Sequence, residues 1–235
     1  MSAGRVGSPR PLMCRPLLGL LALVTLTLPA QAERWMPGRF LLTQYWVAEE
    51  SVGAAREQAV RVYDPDGGTV AWACRGFVSS LTMEGTGRTW DGRLLNWASR
   101  HQGRACFIEV DTALYPYGIG VQGYALVPYR SLAVDARFVP IGHVVEMPEL
   151  RGVALPDGTR HDGCFVAVDG GGAIRGHHID WFVPSRGVYE ALAARRELPR
   201  RVTVVVDSER CAYARRYAVQ PSPDALPADP TVGPR

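Results

Sequence analysis

The chain has 235 residues, of which 47% are hydrophobic and 21% charged, and its formal net charge is +3. This composition is typical of a folded globular protein and argues against disorder over most of the chain. All 26 basic residues are arginine, which excludes mechanisms that require a lysine, such as Schiff-base chemistry.

The first 32 residues have the three regions of a secretory signal peptide. Three arginines precede an apolar run from Leu17 to Leu28, and Ala30-Gln31-Ala32 is a small-x-small cleavage signal. The apolar run is shorter than the roughly 20 residues of a membrane-spanning helix. We predict cleavage after Ala32 and export to the periplasm or the extracellular space. The remaining chain would carry 23 arginines and 23 acids, so nothing favours nucleic acid as a partner. We also expect a monomer without a transmembrane span after cleavage.

The segment after the signal peptide contains four cysteines. An even number in an exported chain favours two disulfides, for which three connectivities exist. We predict the pairs Cys74–Cys106 and Cys164–Cys211. A catalytic thiol is the alternative.

Short strand-like runs separated by turn signals dominate the rest of the chain, and they favour a β-sandwich or a small barrel. Two helices are predicted, a short turn near 75–82 and a helix that Ser185 caps and that extends to Arg196. The Pro-rich tail from 219 to 235 is predicted to be disordered. The predicted strands cover residues 39–48, 59–63, 69–74, 105–110, 143–147, 164–168, 178–183 and 202–206.

The residues best suited to chemistry lie in a glycine-rich segment, 169–180. Asp180 stands between Ile179 and Trp181, and apolar surroundings raise the pKa of a carboxyl, which then can donate a proton near neutral pH. The alternative is a solvent-facing Asp on an alternating strand. His177 and His178 are adjacent and would face opposite sides of a strand, which does not suit joint metal binding. We expect neither a metal nor another cofactor.

The segments SLAVDARFVPIG (131–142) and FVAVDGGGAIRGHHIDWF (165–182) resemble the three-aspartate (3D) domain shared by the membrane-bound lytic transglycosylase A family and related exported muralytic proteins. Asp135, Asp169 and Asp180 match its three aspartates, the last two eleven residues apart. Upstream, LTMEGTGRTWDGRLLNW (81–97) and LLTQYW (41–46) resemble two further family segments.

The resemblance implies a mainly β fold, a six-stranded double-psi β-barrel with short helices. It gives a domain organisation of a signal peptide over 1–32, a single barrel domain over 33–218 with its motif core at 131–207, and the tail. Because few residues separate the upstream segment from Ser131, we expect one compact domain without the additional domain of the relatives.

The implied activity is non-hydrolytic cleavage of the β-1,4 bond between N-acetylmuramic acid and N-acetylglucosamine in peptidoglycan glycan strands, which yields a 1,6-anhydro ring. Asp180 would be the single acid and base, with Asp169 and Asp135 in support. Two alternatives are a hydrolase that uses two carboxylates and a glycan-binding barrel without activity. The implied glycan contacts are Thr43, Tyr45, Glu84, Gly85, Thr86, Gly87, Gly171, Gly172, Ala173 and Arg175.

Overall fold

The structure is a computed structural model that describes Met1, residues 32–51 and residues 59–221. The predicted signal peptide and most of the predicted tail lie outside the described residues. Within them there are thirteen strands, two α-helices and three short 3-10 segments. The strands are β1 (Arg34–Trp35), β2 (Phe40–Glu49), β3 (Ala59–Tyr63), β4 (Thr69–Cys74), β5 (Thr86–Arg88), β6 (Leu94–His101), β7 (Arg104–Val110), β8 (Ser131–Val134), β9 (Val144–Glu146), β10 (Cys164–Asp169), β11 (His178–Ser185), β12 (Arg201–Val202) and β13 (Val205–Val206).

Both α-helices begin where a side chain accepts a hydrogen bond from a free backbone amide, and both end at a residue with positive φ. Helix α1 (Arg75–Glu84) starts where the Phe77 amide donates to the Cys74 sulfur, and it ends at Gly85, whose φ of 81° suits a residue without a Cβ. Helix α2 (Arg186–Arg195) starts where the Val188 amide donates to the Ser185 hydroxyl. The predicted cap at Ser185 is therefore confirmed, and the predicted turn near 75–82 is a complete helix.

The strands form one mixed sheet in the order β1-β13-β9-β10-β8-β11-β2-β5-β6-β7-β3-β4, with β12 pairing β2 as a branch. The pairs β10–β8 and β11–β2 are parallel, whereas β11–β8 and β10–β9 are antiparallel. The prediction of a mainly β fold with short helices is confirmed. The sheet holds more strands than the six of the predicted barrel, and its ladder does not close on itself.

The central strands bury both faces, because alternate residues point to opposite sides. On one side Leu132, Ile179 and Trp181 belong to one apolar core, and on the other side Ala133 and Phe182 belong to a second. A third cluster around Phe77, Leu81, Leu95 and Phe107 lies beneath α1. By the same alternation, Asp180 lies on the face that carries Ala133.

One of the two predicted disulfides is present and the other is not. Cys164 and Cys211 are bonded, which confirms that prediction, whereas Cys74 and Cys106 are free thiols. The predicted pair was wrong because both cysteines flank β3 at opposite ends. Cys74 pairs with Ala59 and Cys106 with Tyr63, and four residues of strand span roughly 13 Å, beyond the reach of a disulfide.

The described end of the chain contacts the body of the protein. The Val219 carbonyl accepts a hydrogen bond from the Ala125 amide, and the Gln220 side chain donates to the Gln122 carbonyl.

Among residues 32–51 and 59–221, no helix is both long enough and apolar enough to span a bilayer.

Candidate active site

Two of the three predicted aspartates flank one small residue of the sheet. Asp180 of β11 pairs with Ala133 of β8 on one side and with Thr43 of β2 on the other. Asp169, at the end of β10, pairs with the same Ala133 from the opposite edge of β8. The four residues therefore form a row across four neighbouring strands. Only a methyl group projects from the strand between the two carboxyls.

Asp180 is half-buried, and its Oδ1 accepts a hydrogen bond of 2.7 Å from the Thr43 hydroxyl. Burial raises the pKa of Asp180 to about 6, although the Thr43 hydroxyl and nearby His178 act in the opposite direction. A carboxyl with this pKa exchanges its proton near neutral pH, as an acid–base catalyst must. In the described part of the chain no group donates a hydrogen bond to Oδ2.

Asp169 is held at the same face by Tyr45. The Tyr45 hydroxyl donates to Asp169 Oδ2 at 2.9 Å, and the Gly170 amide donates to Oδ1 at 2.8 Å. Burial, together with the nearby charge of Asp180, raises the pKa of Asp169 to about 7, although the Gly170 amide and the Tyr45 hydroxyl act in the opposite direction. The pKa of Tyr45 is raised well above its ordinary value, first by burial and then by Asp169, so its hydroxyl remains a donor.

Glu84 adds a third carboxyl from a different element. It is the last residue of α1, directly before the turn at Gly85, and its Oε2 accepts a hydrogen bond of 3.2 Å from the Trp46 amide of β2. Burial raises the pKa of Glu84 to about 7, and Asp180 contributes in the same direction. None of the ion pairs between described residues involves Glu84, Asp169 or Asp180. Three neighbouring carboxyls without an ion-pair partner favour protonated forms.

Asp135 has the opposite character. It is 6% exposed, and its two oxygens accept hydrogen bonds from Arg137, at 2.9 Å from Nε and 2.6 Å from Nη2. The Gly176 amide donates to Asp135 Oδ2 at 2.8 Å. The Arg137 side chain and this amide hold the pKa of Asp135 well below its usual range. Asp135 is therefore an ionised anchor for the loop that follows Asp169.

That loop carries four of the predicted glycan contacts. Gly171, Gly172, Ala173 and Arg175 are all exposed, and the Arg175 Nε donates to the Gly172 carbonyl at 3.0 Å. Nothing lies within 4 Å of the position that a Cβ would take at Gly172. The backbone of the loop is therefore open to a ligand from outside.

Thr86 and Gly87, two further predicted glycan contacts, are buried and take part in internal packing instead. The Thr86 hydroxyl is buried and donates to Asn96 Oδ1 at 2.7 Å. A Cβ at Gly87 would lie 2.9 Å from the Phe77 ring, so glycine here permits α1 to pack closely against β5. These two predicted contacts support the strand next to Glu84, and the structure does not expose the Thr86 hydroxyl to a ligand.

Sequence reasoning missed His178 as a member of the site. Its Nε2 lies 2.8 Å from the Thr43 hydroxyl oxygen. The available signal was its spacing of two residues from Asp180, because residues i and i+2 of a strand share a face. No cluster of three or more potential metal ligands occurs among the residues that the structure describes.

Comparisons with known proteins agree with the resemblance seen in the sequence. Residues 130–205 match the 3D domain family, which confirms the 3D domain in this chain. No curated protein matches the chain. The structure of E. coli MltA with bound chitohexaose is similar with a TM-score of 0.50 and 13% identity, covering 72% of this chain and 71% of that one. This likeness shows a shared fold.

A membrane-bound lytic murein transglycosylase from Agrobacterium tumefaciens aligns with a TM-score of 0.47 and 15% identity. The alignment covers 71% of this chain and 72% of that protein.

Proposed function

We propose that the protein is a lytic transglycosylase that cleaves peptidoglycan glycan strands with Asp180 as its single acid and base. The observation that carries this proposal is the row of Asp169, Ala133, Asp180 and Thr43 on one face of the sheet. Within it a partly exposed carboxyl has its pKa raised by burial to about 6. The 3D domain over 130–205 and the fold shared with E. coli MltA, which has been crystallised with bound chitohexaose, support a β-1,4-linked glycan as the ligand.

The reaction begins with protonated Asp180. Its Oδ2 carries the proton, because Oδ1 accepts the Thr43 hydroxyl. The proton passes to the oxygen between N-acetylmuramic acid and N-acetylglucosamine, and the bond from that oxygen to C1 breaks. The N-acetylglucosamine end leaves as an alcohol, and positive charge develops on the muramyl ring.

The second half needs no water. The Asp180 carboxylate accepts the proton of the muramyl C6 hydroxyl while that oxygen bonds to C1, so a 1,6-anhydro ring forms and Asp180 returns to its protonated state. Ordinary glycosidases need two carboxylates because water or an enzyme group attacks C1. Here the substrate supplies the nucleophile, and one carboxyl serves both steps.

The neighbouring groups would assist without exchanging this proton. Asp169, held by Tyr45, would stabilise positive charge at the sugar ring in its ionised form, which a pKa of about 7 leaves accessible at neutral pH. Asp135 fixes the loop 170–177 through the Gly176 amide, so the loop backbone and Arg175 can contact sugar hydroxyls. Glu84 would contact the glycan from the side of α1.

We also propose that the strands around the site form a six-stranded double-psi barrel. Strands β12 and β13 are separated by two residues, and they pair with β2 and β9 respectively. These partners stand at the two ends of the run β9-β10-β8-β11-β2. Counting Arg201–Val206 as one interrupted strand supports a closed ring of six. We propose that residues 33–218 form one domain.

The proposed location is outside the cytoplasm. The Cys164–Cys211 disulfide supports it, because disulfides persist in oxidising compartments. It agrees with the signal-peptide pattern of residues 1–32 and with a glycan of the cell wall as substrate.

The decisive experiment digests purified peptidoglycan sacculi with the protein from residue 33 onward and identifies the soluble products by mass spectrometry. We expect muropeptides that end in 1,6-anhydro-N-acetylmuramic acid. Asp180→Asn should release none above background, while Asp66→Asn, which changes an exposed turn residue of the same type, should behave as the wild type. Full activity in Asp180→Asn would overturn the assignment.

One observation favours a second activity, hydrolysis by two carboxylates. Asp169 and Asp180 lie on strands separated by β8, so their backbones are about 10 Å apart. Inverting glycosidases hold their carboxyls roughly 6.5–9.5 Å apart to admit a water. Products with free reducing ends, instead of anhydro ends, would establish this alternative, and retention on sacculi without products would indicate a glycan-binding protein.

A further inference from the structure

A chain of two hydrogen bonds connects three side chains of β11 and β2. His178 Nε2 lies 2.8 Å from the Thr43 hydroxyl oxygen, which in turn lies 2.7 Å from Asp180 Oδ1. His178 and Asp180 are two residues apart on β11, so they share a face. Thr43 pairs directly with Asp180 across the two strands. All three side chains are half-buried, which limits competition from water.

Counting protons fixes the direction of this chain of hydrogen bonds. The threonine hydroxyl has one hydrogen and two lone pairs. When Asp180 is a carboxylate it has no hydrogen to give, so the Thr43 hydrogen points at Oδ1. The Thr43 oxygen can then only accept from His178, whose Nε2 must carry a hydrogen. A histidine protonated on both nitrogens meets the same condition.

We propose that His178 is a positioning residue that orients the Thr43 hydroxyl toward Asp180 and confines the exchangeable proton of Asp180 to Oδ2. The inference deepens the proposed transglycosylase activity and, as a statement about catalysis, rests on it. With Nε2 donating, Thr43 has no other acceptor in this chain of hydrogen bonds, so Oδ1 stays an acceptor through both proton transfers. Oδ2 is the oxygen to which no described residue donates, and it is therefore the one that meets the glycan.

Other titratable groups face Asp180 from the elements packed around it. Asp169 comes from β10, Tyr45 from β2 and Glu84 from α1, and each has its own pKa raised by burial and by Asp180 or Asp169. A test must therefore separate the effect of His178 from the titration of these three. Following the Asp180 carboxyl itself achieves this.

The experiment follows the carboxyl carbons of aspartate-labelled protein by NMR across a pH titration and assigns Asp180 from its absence in Asp180→Asn. The matched pair is His178→Gln and His178→Asn. Both are neutral and polar, but only the glutamine amide extends as far as Nε2 of histidine. His178→Asn should raise the pKa of Asp180 by about half a unit to one unit, because the carboxylate loses its oriented donor. His178→Gln restores the hydrogen bond but not the charge, so its Asp180 pKa should lie between that of His178→Asn and that of the wild type.

Two further variants make the test specific. His177→Gln changes the adjacent histidine, which is exposed and packs on Phe40 and Phe138 with ring centroids 4.6 and 5.2 Å away, and it should leave the Asp180 titration unchanged. Thr43→Val removes the hydrogen-bonded link, so adding His178→Asn to it should shift the pKa of Asp180 less than His178→Asn does alone, by the direct charge effect of His178 only. Equal Asp180 curves for His178→Asn and wild type, equal curves for the Gln and Asn variants, or additive shifts in the double variant would overturn the proposal.

Activity provides a second, separable readout. If the sacculi yield anhydro products, the alkaline limb of kcat/KM against pH should move upward in His178→Asn together with the Asp180 titration, and an unmoved limb would contradict the catalytic part. If the sacculi yield none, the proposed function fails, while the NMR titration still decides whether His178 orients Thr43.

Discussion

Asp135 directly follows the end of β8, the strand that pairs with Asp180 of β11, and the two carboxyls have opposite electrostatic settings. Asp180 pairs with Ala133, and Asp135 is two residues further along the same stretch of chain. Arg137 and the Gly176 amide hold the pKa of Asp135 well below its usual range, whereas burial raises the pKa of Asp180 to about 6. One residue type thus gives a permanent anion and a group that exchanges its proton, because the local donors differ.

The largest expected effect comes from removing the exchangeable proton. Asp180→Asn should lower the rate of anhydro-muropeptide release by at least about a hundredfold and preserve binding to sacculi, since an amide still meets Thr43. Product release by mass spectrometry and cosedimentation with sacculi measure the two. If cosedimentation is lost together with release, Asp180 would be a binding residue instead.

Removing the Asp135 carboxylate should lower the activity less, and it should act through the order of the loop that follows Asp169. Asp135→Asn loses the pair with Arg137 and weakens the Gly176 contact, so the loop after Asp169 becomes less ordered. We expect about a tenfold loss of activity together with faster amide hydrogen exchange at residues 170–177. Arg137→Gln should reproduce the change in part. Unchanged exchange in this loop would contradict the anchoring role.

The carboxyls with raised pKa values and Asp135, whose pKa is lowered, should affect the stability of the fold in opposite pH ranges. Folding raises the pKa of Asp180 to about 6 and those of Asp169 and Glu84 to about 7, so the folded state binds more protons. Their contribution is complete below about pH 4 and is lost as the pH rises through about 6–7. Asp135, with a lowered pKa, contributes above about pH 4 and loses its contribution as the pH falls further.

Thermal unfolding between pH 3 and 8 measures these contributions. Asp180→Asn should reduce the fall of Tm between pH 5 and 7, and Asp135→Asn should reduce the fall of Tm on the acid side. Identical pH slopes in both variants and the wild type would show that the two settings do not differ in the folded protein.

The smallest expected effect concerns Glu84, which acts on Asp180 only through its charge. Glu84→Gln removes a potential negative charge and should lower the pKa of Asp180 slightly, which would shift the alkaline limb of the pH–rate profile downward by a few tenths of a unit, about 0.3. The rate at pH 5 should change by less than about threefold. A large loss of rate at pH 5 would place Glu84 in the reaction itself.

Local signals in the sequence predicted much of the fold. The alternation at 59–63 and 69–74 predicted β3 and β4 with their observed bounds, and Ser185 marked the start of α2, because turns and caps depend on near neighbours. Strands β1, β5, β6 and β8 escaped pattern reasoning from composition. Three of them have four residues or fewer and β6 has eight, and pairing with neighbouring strands of the sheet stabilises all four.

The sequence by itself determined the three aspartates and their spacing, and it marked the apolar neighbours that make Asp180 a plausible acid. The tertiary structure decided which aspartate exchanges a proton and which one is a permanent anion. Nothing local tells that Ala133 separates Asp169 from Asp180, that His178 meets Thr43, or that Cys74 and Cys106 lie at opposite ends of β3. The physical reason is that burial, hydrogen-bond partners and strand register all depend on segments far apart in the chain, and these set a carboxyl's proton affinity.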